Sequence, residues 1–441
     1  MEFIILGLFA LCLIGCVSFQ LPILYALAVG FMLFFTYGLL KKFKMKQMFQ
    51  FTWDGIRQVK SMLLIFFLIG MMTAVWRGAG TIPKIIDSTM GLLVPSLFII
   101  VVFLLNCLVS VLTGTAFGTV ATVGVISMTI ANVMGENTLF VAGAILSGIY
   151  FGDRCSPMST SALLICELTH MKLFDHIRQM IRTAWIPLVI TVMIYVALGF
   201  IDQGHLADSS VSLLFSNHFS LSFWTLLPAI VIVLLLAARV SIKQTMLASI
   251  IVGSVICLFV QHMAVSEWLL TLWRGYVAPT DELGAMLNGG GILSMVKIIA
   301  IICLSSSYFG IFNGTKMLKQ IEAQIEKLAH KTTNFVTSTL VSIVAVMISC
   351  NQTLAVMLTY QLNKGLYKDD QKTASMLADT AIVIPALIPW SIASVVPLTT
   401  VGAPIESILF ACYLYLLPIV GIIRSIVNKR QLRMQQNALV H

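Results

Sequence analysis

Long continuous apolar runs are the feature of this 441-residue sequence that most constrains its fold. An α-helix needs roughly 20 apolar residues to cross the hydrocarbon core of a bilayer. The runs occupy 3–19, 21–40, 61–76, 92–113, 119–134, 138–151, 184–201, 222–240, 245–262, 293–312, 334–350 and 404–427, with shorter pieces at 352–362 and 381–400. A transmembrane β-barrel would instead show segments of ~10 residues that alternate in polarity. The sequence therefore predicts an all-α transmembrane bundle of about ten to twelve spans.

The composition indicates the same class of protein. Hydrophobic residues make up 59% of the chain and charged residues only 10%, whereas a soluble domain carries about 25% charged residues. Lipid must therefore face most of the surface. The net charge of +9 does not indicate nucleic-acid binding, because the Lys and Arg residues lie in short loops between the apolar runs. The first run follows Glu2 without any Lys or Arg, so we interpret it as an uncleaved first helix.

No residue pattern indicates an enzyme or a cofactor. The nine cysteines form no CxxC pair, and the seven histidines show no metal-ligand spacing. The apolar runs contain no Ser/His, Asp/Asp or HExxH arrangement of a membrane protease. Gly289, Gly290 and Gly291 lack the following Lys and Ser/Thr of a phosphate-binding loop. We therefore predict that the protein is not an enzyme and holds no cofactor. A non-transporting scaffold is the alternative outside transport.

The distribution of Lys and Arg predicts the orientation in the membrane. Short cytoplasmic loops are enriched in these residues. The basic segments are 41–60, 170–183, 316–331 and the tail from Lys429, whereas 202–220 contains Asp202 and Asp208 and no Lys or Arg. We therefore place both termini in the cytoplasm and expect a multi-pass protein of a cell membrane, the inner membrane of a bacterium.

The order of the apolar runs suggests two related halves. Met317, Ile321, Ile325 and Leu328 form an apolar stripe at helical spacing, which predicts an amphipathic linker helix at the cytoplasmic surface. We expect an N-terminal helical hairpin with a basic loop at 1–60, a first transport repeat at 61–240, connecting helices at 241–316, the linker helix at 317–333, and a second repeat with the C-terminal helix at 334–441.

Polar residues break the apolar runs at corresponding places in the two halves. Each half has a short polar break and then, about one helix later, an acidic residue followed by a proline-broken segment. Such paired breaks are the best indication of a transporter binding site in a sequence. The candidate ligands are Asp153, Asp379, Thr115, Thr119, Ser156, Ser159, Thr160, Asn351, Gln352, Thr353 and Ser391. The candidate helix-breaking residues are Gly114, Gly118, Gly152, Pro157, Pro385 and Pro389.

The candidate ligands suit a cation that has left water, because hydroxyls, carboxylates and unwound carbonyls replace its hydration shell. Sodium is the only metal that this set suggests. Asp153 would bind an ion or carry a proton, or it would pair with Arg154 or cap a half-helix. Asp379 would do the same or lie near the cytoplasmic face. We predict that 152–161 and 385–391 are non-helical or re-entrant and lie close together at mid-depth.

Four motifs resemble the NhaC family of sodium/proton antiporters. They are GTAFGTVATVGV (114–125), GAILSGIYFGDRCSPMS (143–159), LFDHIRQMIRT (173–183) and ALIPWS (386–391). The resemblance extends from about Ser61 to Ser425. It implies two inverted repeats with broken helices and secondary antiport driven by a sodium or proton gradient. The partners would then be an ion or small-molecule substrate and the lipid bilayer, without nucleic acid; a homo-oligomer is compatible with the sequence.

The sequence also departs from the pattern of that family. Where the family has an Asp after the SP-x-S element, this chain has Thr160. A family Gly-Asp-Gln is replaced by Cys350, Asn351 and Gln352, and the family Asn after Trp390 is replaced by Ser391. The Ser- and Thr-rich stretch that precedes the IPW element in the family reads Ala381, Ile382, Val383 and Ile384 here. Because two carboxylates and several hydroxyls are therefore missing, these changes favour an alternative. The chain would then carry or exchange an organic solute, such as an amino acid or a carboxylate.

The predicted orientation can be tested by cysteine labelling. In a variant without native cysteines, a membrane-impermeant maleimide added to intact cells should label Ser210→Cys and leave Gln435→Cys unlabelled. Permeabilised cells are the control, in which both positions should react. Labelling of Gln435→Cys in sealed cells would reverse the orientation.

Overall fold

The architecture comes from a computed structural model that describes residues 2–19, 21–89, 94–201, 209–238, 240–317, 332–363, 366–367 and 369–438. These residues are almost entirely helical, and they contain an isolated β-bridge between Tyr276 and Gly289 but no strand. The α-helices are α1 Glu2–Ser18, α2 Ile23–Leu40, α3 Met45–Gln58, α4 Lys60–Gly78, α5 Thr81–Thr89, α6 Pro95–Thr113, α7 Ala116–Thr119, α8 Val125–Met134, α9 Thr138–Cys155, α10 Thr160–Thr169, α11 Leu173–Ile201, α12 Ser209–His218, α13 Leu227–Ala237, α14 Ile242–Phe259, α15 Val265–Arg274, α16 Asp281–Leu287, α17 Ile292–Thr315, α18 Asn334–Ser349, α19 Gln352–Leu362, α20 Asp370–Asp379, α21 Ile392–Val401 and α22 Cys412–Ala438. The predicted all-α class is confirmed.

The helices include enough long apolar segments for a multi-pass membrane protein. In the part of the chain that the structure describes, six helices are long and apolar enough to cross a membrane. Two bent helix pairs, with bends of 62° and 53°, raise the number to eight. Further apolar helices such as Asn334–Met347 are shorter, at 10–17 residues. Because apolar runs in the sequence include these short pieces, the figure of ten to twelve spans stays a prediction, as do the inverted repeats.

Close packing between α6 and α9 forms the centre of the first half. A Cβ atom added at Gly148 would lie 2.7 Å from the Asn106 Cβ, and one at Gly152 would lie 2.2 Å from the Ser110 Cβ. The Ser110 hydroxyl donates a hydrogen bond of 2.6 Å to the Ile149 carbonyl. Glycines in membrane helices allow the backbones to approach each other in this way.

Two of the six predicted helix-breaking residues do not break a helix. Gly152 lies inside α9, where it packs against α6. Gly118 lies inside the helix that runs from Ala116 to Met134 through a π-helical segment, and a Cβ there would be 2.6 Å from the Ile242 Cδ1. In both cases the missing Cβ serves close packing, and the predicted helix break is wrong.

The first break in each half has nearly the same backbone conformation. After α6, Gly114 adopts φ 67° and ψ 24°, and the extended Thr115 caps α7 by accepting a hydrogen bond from the Gly118 N–H at 3.3 Å. After α18, Cys350 adopts φ 52° and ψ 11°, and the extended Asn351 caps α19 by accepting one from the Thr353 N–H at 2.9 Å. A left-handed residue followed by a polar cap therefore ends one helix and starts the next.

The second break in each half ends in the same Pro-x-Ser pattern. Ser159 caps α10 and follows Pro157 by two residues, as Ser391 caps α21 and follows Pro389. The break at 152–161 is shorter than predicted, because α9 continues to Cys155 and α10 starts at Thr160. The break at 385–391 agrees with the prediction. A 3-10 turn at Ile384–Leu387, which contains Pro385, is followed by the extended Ile388, a turn at Pro389 and Trp390, and the extended Ser391.

The two breaks of each half lie against each other. In the first half, the Ser156 hydroxyl donates a hydrogen bond of 2.6 Å to the Val111 carbonyl, in the last turn of α6. In the second half, the Ile392 N–H donates one of 2.9 Å to the Cys350 carbonyl. Tyr150 links the halves, because its hydroxyl donates a hydrogen bond of 2.7 Å to the Ala393 carbonyl. The breaks therefore form one connected region.

The predicted linker helix at 317–333 lies largely outside the described residues. Only Met317, Thr332 and Thr333 of that segment are described. The division of the chain into five segments, including the two repeats, stays a prediction.

The α6–α9 contact can be tested at Gly148, about two helical turns before the end of α9 at Cys155. Replacement by Ala should lower the free energy of unfolding by about 1–3 kcal/mol, because the new methyl group overpacks a closed contact. Thermal denaturation in detergent would measure this. Gly15→Ala is the matched control, because nothing lies within 4 Å of a Cβ at that helical position. Equal melting temperatures for the two variants would contradict the packing.

Candidate functional site

Asp153 lies at the centre of a hydrogen-bonded cluster between the two halves. Only 4% of this residue is exposed. Its carboxylate accepts hydrogen bonds from the Ser159 hydroxyl at 2.9 Å, the Ser161 hydroxyl at 3.0 Å and the Gln352 amide at 3.0 Å. A carboxylate buried in a membrane protein is expensive and indicates a functional site unless a structural partner explains it.

The second break of the first half positions two of these donors. Ser159 caps α10, and its hydroxyl oxygen accepts hydrogen bonds from the N–H groups of Ser161 and Ala162 at 3.1 and 3.3 Å. The same hydroxyl donates a hydrogen bond to the carboxylate of Asp153, which lies in the last turn of α9. One capping residue therefore holds the end of α9 and the start of α10 together around the carboxylate.

The third donor comes from the first break of the second half. Gln352 is the first residue of α19, directly after the capping Asn351. Its amide nitrogen bridges the Asp153 carboxylate and the Ile382 carbonyl, at 3.0 and 3.1 Å. Ile382 lies between α20 and the 3-10 turn, so Gln352 connects three of the four breaks.

Asp153 faces a cavity of about 670 Å³. Six predicted ligands line it, and they are Asp153, Thr115, Thr160, Asn351, Gln352 and Thr353. The predicted helix-breaking residue Gly114 and the additional Ser161 also belong to the lining. Asp153 is the only acidic residue among the described lining residues, and Lys, Arg and His are absent from them. The lining therefore combines one carboxylate with neutral oxygen-bearing side chains.

Helix ends of both polarities meet at this cavity. The helices that start at Ala116, Thr160 and Gln352 direct N-termini toward it, and α6 ends there at Gly114. The positive end of the helix dipole at an N-terminus favours negative charge, such as that of the Asp153 carboxylate. Carbonyl groups at a C-terminus favour a cation. The cavity can therefore hold an ionised carboxylate and a cation beside it.

Arg154, the next residue after Asp153, has a different partner. Its guanidinium is fully buried and forms an ion pair with Asp379, which is itself 6% exposed. The guanidinium also donates to the Ala378 and Met180 carbonyls, at 3.2 and 2.9 Å, and to the Thr183 hydroxyl. The Thr183 hydroxyl donates a hydrogen bond of 3.1 Å to Asp379. The alternative pairing of Asp153 with Arg154 is therefore not what the structure shows.

Asp379 consequently lies apart from the Asp153 cluster. It lines a second cavity of about 700 Å³, whose lining includes Thr183, Lys372 and Arg424. The structure thus brings one of the two predicted carboxylates together with neutral ligands and the other together with a guanidinium.

Four predicted ligands support the breaks and do not line the first cavity, and one of them is Ser159, which caps α10. Thr119 hydrogen-bonds to the Thr113 hydroxyl at 3.0 Å and to the Thr115 carbonyl at 2.9 Å. The Ser156 hydroxyl donates a hydrogen bond to the Val111 carbonyl of α6, as described above. Ser391 caps α21, and its hydroxyl oxygen accepts a hydrogen bond of 3.2 Å from the Ala393 N–H.

Sequence reasoning missed Ser161 and Thr183 as partners of the buried charges. Ser161 lies two residues after the capping Ser159, and that spacing was a usable signal once Ser159 is recognised as a cap. Thr183 carried no such signal, because its partner Asp379 is 196 residues away in sequence.

The hydrogen-bond donors around Asp153 also carry acceptor oxygens. Ser159, Ser161 and Gln352 donate to Asp153 here, and each side chain also carries an acceptor oxygen that can turn toward a cation. Among the described residues, no group of three His, Cys, Asp or Glu side chains could hold a metal ion. Any cation at Asp153 would therefore be coordinated mostly by neutral oxygens.

Paired broken helices around a buried carboxylate and a cavity define the class of a polytopic membrane transporter. Sequence comparison gives the family. The model of the Na+/H+ antiporter family matches residues 148–429, and the chain belongs to this family. The matched segment includes Asp153, Arg154, Gln352 and Asp379. The predicted resemblance is confirmed.

Curated relatives agree with this assignment. The chain is 29% identical over 400 residues to the malate-2H+/Na+-lactate antiporter of Bacillus subtilis, across 88% of this chain and 86% of that protein. It is 26% identical over 399 residues to the Na+/H+ antiporter NhaC of Alkalihalophilus pseudofirmus, across 86% of each. It is 26% identical over 416 residues to the arginine/ornithine antiporter ArcD of Halobacterium salinarum, across 88% and 82%. The protein is a secondary antiporter of the NhaC type, driven by a sodium or proton gradient.

The buried ion pair gives a stability prediction. Asp379→Asn should lower the free energy of unfolding by about 3–5 kcal/mol, because it leaves the Arg154 charge buried without a counter-charge. The double variant Arg154→Met with Asp379→Leu should recover most of that loss, since it removes both charges. Thermal denaturation in detergent would measure both.

Asp87→Asn provides the control for this experiment. Asp87 pairs with Lys84 at 3.1 Å, but both side chains are more than a fifth exposed. Loss of such an exposed pair should change stability by about 1 kcal/mol or less. A double variant at Arg154 and Asp379 that is as unstable as the single variant would refute the assignment.

Proposed function

We propose that the Asp153 carboxylate binds the coupling cation and that Na+ and H+ occupy it alternately. The observation that supports this most strongly is the position of the carboxylate. It is almost fully buried, yet it borders a cavity of about 670 Å³ and has only neutral hydrogen-bond partners. A structural carboxylate would be paired with a cation, as Asp379 is.

If Na+ and H+ compete for the Asp153 carboxylate, the protein exchanges one ion for the other. A proton on Asp153 removes the negative charge that attracts Na+. A bound Na+ excludes the proton for the same reason. Ser161 and Gln352 serve both states, because a hydroxyl or an amide donates to a carboxylate in one orientation and presents oxygen to a cation in the other. Thr115, Thr160, Asn351 and Thr353 are the remaining neutral ligands that the cavity offers.

The charges around the site support one cation per cycle. Asp153 and Asp379 carry two negative charges, and Arg154 carries one positive charge. A single monovalent cation at Asp153 therefore neutralises the buried group. A neutral site moves between the two faces of the membrane more readily than a charged one, because desolvated net charge is costly. In this proposal Asp379 balances Arg154 and does not bind the ion.

The setting of this cycle follows the sequence prediction. Both termini lie in the cytoplasm, and 202–220 lies outside a bacterial inner membrane. Transport requires no enzymatic step and no cofactor apart from the coupling ion.

The second candidate function is exchange of an organic solute coupled to the same cation. The size of the first cavity favours it, because about 670 Å³ is in the range of small-molecule sites and far larger than one ion. Two of the relatives are named for organic solutes, malate and lactate in one and arginine and ornithine in the other. The missing family carboxylates agree with this candidate.

Transport in liposomes tests the role of Asp153. With an imposed pH gradient, the wild-type protein should take up 22Na+, and Asp153→Asn should lose this uptake. Asp153→Glu should keep part of it with a half-saturating Na+ concentration raised at least about tenfold, because the longer side chain shifts the carboxylate by a methylene group. The same vesicles with added organic acids and amino acids would test the second candidate.

Glu167→Gln is the matched control, since Glu167 is an exposed carboxylate on the helix that follows the site. It should transport like the wild type. Normal pH-driven uptake by a well-folded Asp153→Asn would rule out Asp153 as the coupling residue.

A further inference from the structure

The start of α11 forms a polar face that the cation site does not use. The steps from Asp175 to Arg178 and on to Arg182 are three and four residues, and those from Asp175 to Gln179 and on to Thr183 are four each. All five side chains therefore lie on one side of the helix. All five line a cavity of about 540 Å³, together with Met171, Gln371 and Arg424. We call this cavity the arginine vestibule.

The arginine vestibule carries excess positive charge. Arg178 and Arg182 come from α11, and Arg424 comes from α22. Asp175 is the acidic residue among the described lining residues, so the formal charge of the lining is +2. Arg178 and Arg182 are four residues apart on one helix, and like charges at that spacing destabilise a helix. The preference for Lys and Arg in cytoplasmic loops explains the basic residues of 170–183, and Arg424 of α22 lines both this cavity and the second cavity with Asp379.

The vestibule ends at the buried ion pair. Thr183 lines it and hydrogen-bonds to Asp379, and Arg154 donates to the same Thr183 hydroxyl. The second cavity shares Gln179, Thr183 and Arg424 with the vestibule. An anion bound in the vestibule would therefore lie next to the residue that follows Asp153 in sequence.

We propose that the arginine vestibule binds a small organic anion with two carboxylates. Guanidinium groups bind carboxylates through paired hydrogen bonds, and two of them match a dicarboxylate in charge. Gln179, Gln371 and Thr183 supply neutral hydrogen bonds for hydroxyl substituents. The volume is in the range of small-molecule sites and exceeds what inorganic phosphate would fill. The inference rests on the proposed antiport, and it names the class of solute that the arginine vestibule would admit.

Direct binding of radiolabelled succinate to the purified protein tests the proposal independently of transport. In a scintillation proximity assay, the wild-type protein should bind succinate saturably. Arg178→Gln and Arg424→Gln should each raise the Kd at least about tenfold, because each removes a paired charge-assisted contact. Asp175→Asn should lower the Kd, since it removes the opposing charge from the lining.

Lys172→Gln is the matched control, because Lys172 is a cation beside the same helix but outside the lining. It should bind succinate like the wild type. Melting temperatures close to that of the wild type must accompany the Arg variants, and Arg182→Gln replaces either variant that fails to fold.

Three results would overturn the inference. They are no saturable binding, equal Kd values for the Arg variants and Lys172→Gln, or displacement of succinate by phosphatidylglycerol nanodiscs but not by unlabelled malate. The last would assign the vestibule to a lipid headgroup. Failure here leaves 22Na+ exchange at Asp153 untouched, and failure of that exchange leaves succinate binding measurable, so the two proposals fail separately.

Discussion

A helix that breaks inside a membrane leaves backbone N–H and carbonyl groups that lipid cannot satisfy. The four breaks of this protein meet that constraint with local caps and with each other. Thr115, Asn351, Ser159 and Ser391 cap the helices that restart. The Val111 and Cys350 carbonyls accept hydrogen bonds from the opposite break of the same half. The breaks therefore pack together, and residues from them line the cavity beside Asp153.

The second feature that follows from this packing is the separation of two adjacent charges. Asp153 and Arg154 are consecutive in the last turn of α9, and successive side chains of a helix point in directions about 100° apart. Asp153 therefore faces the cavity with neutral partners, while Arg154 faces Asp379 and Thr183. In the proposed cycle, Asp153 changes its charge, while the Arg154 guanidinium keeps the charge of Asp379 fixed. A transporter that exchanges cations needs such a division, since a buried charge that never changes can only be structural.

The sequence pattern was sufficient to locate the breaks, because clusters of Gly, Ser, Thr and Pro inside apolar runs are typical of interrupted membrane helices. It also identified Asp153 and Gln352, whose contact across the halves follows once the breaks meet. Gly118 and Gly152 were assigned wrongly, since a glycine that allows close packing and one that unwinds a helix look alike in sequence. The difference lies in the neighbouring helix, Ile242 for the first and Ser110 for the second.

The partner of Asp379 could not be predicted for a related reason. Arg154 and Asp379 are 225 residues apart, and their pairing depends on how α9, α11 and α20 pack. The sequence offered the neighbouring Asp153 as an alternative partner of Arg154 only because the two are adjacent. Ser161 was overlooked because its role depends on the cap at Ser159, which fixes the direction of the first turn of α10.

The central claim is that Na+ and H+ compete for one carboxylate. The most direct measurement is the number of protons released when Na+ binds to purified protein in weakly buffered detergent solution, alongside 22Na+ binding. We expect at most one Na+ bound per chain, release of protons that decreases as the pH rises, and neither effect in a folded Asp153→Asn variant. Two Na+ ions per chain, or proton release that persists in Asp153→Asn, would contradict the account.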